Sequence, residues 1–155
     1  MTGSYCFVSW LNSNWLLDSG ASDHISCNLN LFHSYKRVSH SGSFITIPDG
    51  RKIEVLYIGS VVLNDQITLH DVLYAPNFHF NLISIHKLYK DMQCQISFTH
   101  DKCYLKGLSK KGPSMLLGRL EDGLYNITEQ IVDKEQHISG IETTACMSII
   151  DSNKL

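Results

Sequence analysis

The stretch Trp15-Leu16-Leu17-Asp18-Ser19-Gly20-Ala21-Ser22-Asp23-His24 decides how the rest of the chain is read. A short apolar run, Trp15 to Leu17, delivers a carboxylate directly into a Ser-Gly turn. Ending an apolar strand on Asp places an ionisable group at the edge of a core, where desolvation and neighbouring charges act on it. Ser19 can hydrogen-bond locally, and Gly20 permits a tight turn that brings main-chain N–H groups near the carboxylate. Chemistry that needs a rigid carboxylate facing a water would use such a loop. A plain strand followed by an Asp-Ser-Gly turn also accounts for these three residues, because such turns are common.

The flanking residues choose between the two. Hydrophobic-hydrophobic-Asp-Ser-Gly-Ala is the signature of the aspartic proteases, and the longer form from Trp15 to His24 resembles the protease segment of copia-type LTR retrotransposon Gag-Pol polyproteins. Two later blocks, Asp71-Val-Leu-Tyr-Ala-Pro-Asn77 and Phe80-Asn-Leu-Ile-Ser-Ile-His-Lys-Leu88, resemble the same family and follow in the same order. The resemblance covers roughly Asn14 to Ile127. It implies a retropepsin-like aspartic endopeptidase (a hydrolase) that cleaves a Gag-Pol polyprotein and uses no cofactor. Asp18 is then the catalytic residue, with Ser19, Gly20 and Ala21 supporting its loop.

Composition bounds the alternatives. A chain of 155 residues has room for one domain with a real core. Hydrophobic content is 43%, the charged share only 18%, and the net charge −2, which leaves no basic footprint for direct nucleic-acid binding. No apolar run approaches the length needed to cross a bilayer, and Met1 to Leu11 lacks a basic leader with a sustained apolar stretch. These features lead us to expect an intracellular, cytoplasmic protein away from membranes. For an active element the resemblance adds a virus-like particle.

Five scattered cysteines, an odd number, argue against a disulfide framework. His24 and Cys27 form a His-x-x-Cys pair, but no second ligand pair at zinc-like spacing follows, so no metal site is expected. A Cys-His hydrolase built on the same two residues is also disfavoured. Residues so close on one loop rarely face each other productively.

Along the chain, Met1 to Asn14 reads as a lead-in with one strand near Cys6 to Leu11, and Ile25 to Tyr35 as an aperiodic surface crossing. Phe44 to Ile47 and Lys52 to Ile58 flank Pro48-Asp-Gly-Arg51, the strongest local hairpin signal in the sequence. On the residues alone this is a surface hairpin. The resemblance implies a flap, with Pro48, Asp49 and Gly50 at its tip, whose strands pair with an extended peptide.

Ser60 to Leu63 and Gln66 to Leu69 make the next strand pair, and β character continues over Val72 to Tyr74. Asn81 is the expected N-cap of a helix with Leu82, Ile83, Ile85, Leu88 and Tyr89 at helical spacing. Further hairpins are expected over Cys94 to Leu105 and Met115 to Ile127. Short strands with a single helix predict an all-β fold, a small closed retropepsin-like β-barrel with one short helix. The expected divisions are 1–13 as lead-in, 14–108 as the barrel and protease domain, 109–127 as a hairpin leading toward the pre-integrase region, and 128–155 as a divergent tail.

Aspartic-protease chemistry requires two carboxylates sharing a proton. Asp49-Gly50 lacks the preceding strand and turn, Asp151-Ser152 runs into Asn153 where Gly is needed, and Asp23 has no Gly of its own. Asp23 is expected to support or be solvated. The second carboxylate should therefore be Asp18 of a second copy across a two-fold axis, a homodimer acting on a polypeptide substrate. The competing expectation is a catalytically inactive β-barrel fragment of a decayed copia-type polyprotein.

Overall fold

Burial alternates along Trp15–Asp18 and makes this segment a strand, β1. Trp15 and Leu17 enter the core, while Leu16 and Asp18 share the half-exposed face. The computed structural model describes residues 14–39, 42–107 and 114–127. The strand expected near Cys6 to Leu11 and the tail from 128 onward lie outside the described residues.

Chain order continues with β2 (Ile25–Ser26), β3 (Phe32–Arg37), β4 (Phe44–Thr46), β5 (Lys52–Glu54), β6 (Tyr57–Val62), β7 (Thr68–Tyr74) and β8 (Asn81–Ser84). Helix α1 (Ile85–Met92) is followed by β9 (Cys94–Phe98), β10 (Lys102–Gly107), β11 (Ser114–Glu121) and β12 (Leu124–Ile127). β4 and β5 form a separate two-stranded sheet. The others form a ten-stranded sheet in the order β3-β6-β7-β2-β8-β1-β12-β11-β10-β9. β1 lies near its middle, parallel to β8 on one side and antiparallel to β12 on the other.

This order corrects the closed barrel. Closure needs the first and last strands to bond, yet β3 is paired only with β6 and β9 only with β10 among the described residues. Among the described residues the fold is mostly β with one α-helix, and its sheet is open. The open sheet likewise conflicts with the retropepsin-like β-barrel form in which the aspartic-protease homodimer is expected. Counting short strands reveals their number but not their spatial order, which depends on pairings between residues far apart in sequence. The β3 edge carries exposed residues from His33 to Arg37, including Lys36 and Arg37, which disfavour pairing with a foreign strand.

Three local expectations also change. Ile25 to Tyr35 is not a plain surface crossing: it contains the buried β2, a short 3-10 turn over Leu29–Leu31 and most of β3. Lys52 to Ile58 is not one strand but two, β5 and β6, parted where Val55 turns inward and is buried. Asn81 does not cap the helix. It opens β8, and Ser84 is the N-cap, its Oγ accepting from the Lys87 N–H at 3.1 Å. Tyr89 correspondingly points outward, while Leu88 is buried.

The core gathers Trp15, Leu17, Val61, Leu69, Val72, Ile83 and Leu88, drawn from β1, β6, β7, β8 and α1. Phe32, Tyr35, Tyr57 and Tyr74 make a chain of ring contacts with centroids 5.2 to 6.3 Å apart, joining β3, β6 and β7. Gly59 lets β3 approach β6 closely. A Cβ there would land on the Ser34 carbonyl oxygen and 2.8 Å from Tyr35 Cα. Gly59→Ala should therefore lower stability by about 1–3 kcal/mol. A urea midpoint unchanged from the parent chain would contradict the close approach.

Candidate active site

Asp18 ends β1 directly opposite Ser84 of β8 in the parallel register. Its Oδ1 accepts from the Gly20 N–H at 2.7 Å, so the turn folds back onto the carboxylate. A Cβ on residue 20 would sit 3.3 Å from that oxygen, which suits Gly at this position. Ser19 and Gly20 are exposed, and Asp18 and Ala21 are half-buried. The loop thus presents one fixed carboxylate toward solvent from the end of a buried strand.

Two residues of the later Phe80 to Leu88 block brace this loop. Ser84 Oγ donates to the Ala21 carbonyl at 2.6 Å, and the Ser84 N–H donates to His24 Nδ1 at 3.1 Å. Asn81 Oδ1 accepts from Ser26 Oγ at 2.7 Å and from the Cys27 N–H at 3.4 Å. Its Nδ2 donates to the Asn14 carbonyl at 3.2 Å, before β1 begins. All three side chains, Ser26, Asn81 and Ser84, are buried, where satisfied hydrogen bonds fix geometry most strongly.

Charge around the loop is arranged by the helix. Lys87 Nζ lies 3.7 Å from Asp23 Oδ1 and donates to the Asp71 carbonyl at 3.0 Å. Asp23 also accepts from Ser22 Oγ at 2.9 Å, so it is engaged in holding the loop and the helix together. His24 is completely buried. Burial, reinforced by the Lys87 charge and His70, lowers its pKa from 6.5 to about 4 against the opposing pull of Asp91 and Asp23.

The three described thiols are quiet. Burial raises the Cys27 pKa, and its Sγ lies 3.8 Å from Asn81 Oδ1. Burial likewise raises Cys94 and pushes Cys103 up to about 12. Among the described residues no three His, Cys, Asp or Glu side chains gather as a metal-holding group.

Pro48, Asp49 and Gly50 lie exposed at the tip of the β4–β5 hairpin, apart from the ten-stranded sheet that carries Asp18. The Arg51 N–H reaches Asp49 Oδ1 at 2.9 Å and the Arg51 guanidinium reaches Oδ2 at 2.6 Å. Both hold the Asp49 carboxyl below the usual range. Sequence reasoning brought out Asp18 and its turn but missed Asn81, Ser84 and His24 as the parts that brace it. Their signal was present in the quoted blocks, as polar residues set among apolar ones.

The family described as Pol polyprotein, beta-barrel domain, matches residues 15–94, a span holding β1, the Asp18 loop, both Asn81 and Ser84, and α1. The chain belongs to this family. The chain is 33% identical over 117 residues to the retrovirus-related Pol polyprotein from transposon RE1 of Arabidopsis thaliana, covering 74% of this chain and 8% of that protein. Similarity to the corresponding RE2 protein of the same plant is 35% over 116 residues, covering 73% of this chain and again 8% of the relative. A putative transposon Ty5-1 protein of Saccharomyces cerevisiae is 31% identical over 74 residues, 48% of this chain and 49% of that one. The chain is thus a homologue of copia-type Pol polyproteins that spans a small part of the two plant relatives. No solved structure matches it. No helix among the described residues is long and apolar enough to cross a membrane.

The neutral His24 makes stability depend on pH. Its folded pKa, about 4, lies below the ordinary 6.5, so the unfolded chain takes up the proton first as pH falls. The contribution is complete above about pH 6.5 and is lost as pH falls toward 4. It amounts to on the order of 3 kcal/mol. Urea denaturation from pH 7.5 to 4 should show that slope in the parent chain and lose most of it in His24→Asn. Equal slopes in both would remove His24 as the cause.

Proposed function

We propose that this chain is the peptide-cleaving segment of a copia-type Gag-Pol polyprotein, an aspartic endopeptidase to which each chain contributes one carboxylate, Asp18. The observation that carries this reading is the placement of Asp18, half-exposed at the end of a buried strand and held by the Gly20 N–H at 2.7 Å. Ser19, Gly20 and Ala21 form the supporting turn. The chain has a single Asp-Ser-Gly loop, so the second carboxylate comes from Asp18 of another copy. That pairing requires two loops to meet and does not require a closed barrel.

Two carboxylates at close range share one proton, because mutual repulsion raises one of the two pKa values. The charged member takes a proton from water as the water oxygen bonds to the peptide carbonyl carbon. The protonated member hydrogen-bonds the carbonyl oxygen as it gains charge. Collapse of the tetrahedral intermediate breaks the C–N bond, and the proton passes to the leaving amine. The hairpin tip at Pro48, Asp49 and Gly50 covers the peptide, with β4 or β5 adding main-chain hydrogen bonds. In this reading residues 14–108 form the catalytic unit, and 109–127 leads toward the pre-integrase region while folding back beside β1. The substrate is the polyprotein itself, cut in the cytoplasm or within a virus-like particle.

A chain extended upstream by Gag sequence should process itself, and Asp18→Asn should lower that rate about 100-fold or more. Processing by Asp18→Asn at the parental rate would sink the reading. Excess Asp18→Asn mixed with the parent should suppress cleavage, since a mixed pair keeps one full carboxylate. Specific activity should fall on dilution together with the sedimenting pair. A monomer that cleaves at undiminished specific activity would overturn the shared pair, and one inert at every concentration would mark a decayed fragment. EDTA should leave the cleavage rate unchanged, and an EDTA-sensitive rate would point to a metal instead.

A further inference from the structure

We infer that His24 is a positioning residue for the Asp18 loop, its neutral Nδ1 holding the Ser84 amide and so fixing the loop against β8. The imidazole is fully buried, and its Nδ1 accepts from the Ser84 N–H at 3.1 Å. An accepting Nδ1 puts the ring proton on Nε2, which is buried and has no hydrogen-bond partner among the described residues. Burying a ring donor without a partner is unfavourable. Leucine or phenylalanine would fill a similar volume without that penalty, so packing alone does not account for an imidazole here. What only the imidazole supplies is the acceptor.

The acceptor acts where it matters to Asp18. Ser84 is the register partner of Asp18. Through its N–H and its Oγ it grips the loop at two points, His24 and Ala21. The same Oγ caps α1 through the Lys87 N–H, so the loop, β8 and the helix meet on one serine. Losing the His24 acceptor reduces the grip of Ser84 on the loop to the Ala21 bond and leaves the buried Ser84 N–H without this partner.

Protonation at Nδ1 would set two N–H donors against each other and release the loop. The groups acting on the ring are Lys87 and Asp91 from α1, Asp23 from its own loop and His70 from β7. Burial and the Lys87 charge keep the ring neutral down to about pH 4. The clasp therefore holds through neutral and mildly acid conditions and opens below them.

The effect on cleavage rests on the reading of Asp18 as catalytic, whereas the clasp itself does not. The test uses the full chain labelled with nitrogen-15, the parent beside His24→Leu, which keeps apolar volume, and His24→Asn, which restores an acceptor near the place of Nδ1. In the parent, the His24 shifts should show an unprotonated Nδ1 and a protonated Nε2 from pH 7 to 5. The Ser84 amide should exchange about tenfold faster or more in His24→Leu and recover in His24→Asn, with amides of β10 and β11 unaffected. Cleavage should lose about tenfold in kcat with little change in KM in His24→Leu, and regain most of it in His24→Asn.

A protonated Nδ1 in the neutral parent, unchanged Ser84 exchange in His24→Leu, or no recovery in His24→Asn would each overturn the role. Should His24→Leu fail to fold, the parent's nitrogen shifts still decide. A parent chain that cleaves nothing refutes the peptidase reading, and the shifts and exchange rates then judge the clasp independently.

Discussion

The parallel pairing of β1 with β8 is the constraint on which the rest of the structure depends. It sets Asp18 opposite Ser84, and through Ser84 it joins the loop after β1 to the helix after β8. Parallel neighbours cannot be linked by a tight turn, so a long stretch of chain must run between them. Here that stretch contains β2 to β7, and it builds one wing of the sheet. The chain after α1 builds the other wing, from β12 to β9. Asp18 thus sits where the two wings meet, on a strand with partners on both sides, and its loop is correspondingly well anchored.

Much of the strand content could be read from the sequence, because strands separated by turn residues announce themselves locally. The hairpin around Asp49-Gly50 and the one around Asp122-Gly123 form where the turn residues place them. β2 escaped because it has only two residues, both buried, which leaves no alternation to detect. β8 escaped for a different reason. Leu82 and Ile83 fit a helix or a strand equally well, and Asn81 and Ser84 are both good caps. Only the pairing with β1, more than sixty positions earlier in register, settles where the strand stops and the helix starts. The same dependence on distant partners hid the open order of the sheet.

The candidate site divides in the same way. A carboxylate at the end of an apolar strand is a local pattern, and Asp18 stands out for that reason. His24 stands at one end of a His-x-x-Cys spacing, and its bond goes to the amide of Ser84. Asp23 is expected to support the loop or be solvated, and its carboxylate is engaged by Ser22 and by Lys87. In both cases the partner brought in by the fold assigns the supporting role. Lys87 shows the economy of the arrangement: one side chain neutralises Asp23, ties α1 to the Asp71 carbonyl and helps keep His24 uncharged.

The border between β1 and β12 also has a consequence in time. Trp15 pairs with Ile127 and Leu16 with Asn126, so one flank of the Asp18 strand is supplied by the last strand of the described chain. During vectorial synthesis β1 emerges first and remains half-covered until that strand arrives. Joining the two closes a loop that spans nearly the whole fold, a slow step compared with forming local hairpins. A nascent chain would therefore carry Asp18 on an unfinished strand while its far hairpin is still being made. Order of translation alone would delay maturation of the site until the far hairpin has folded.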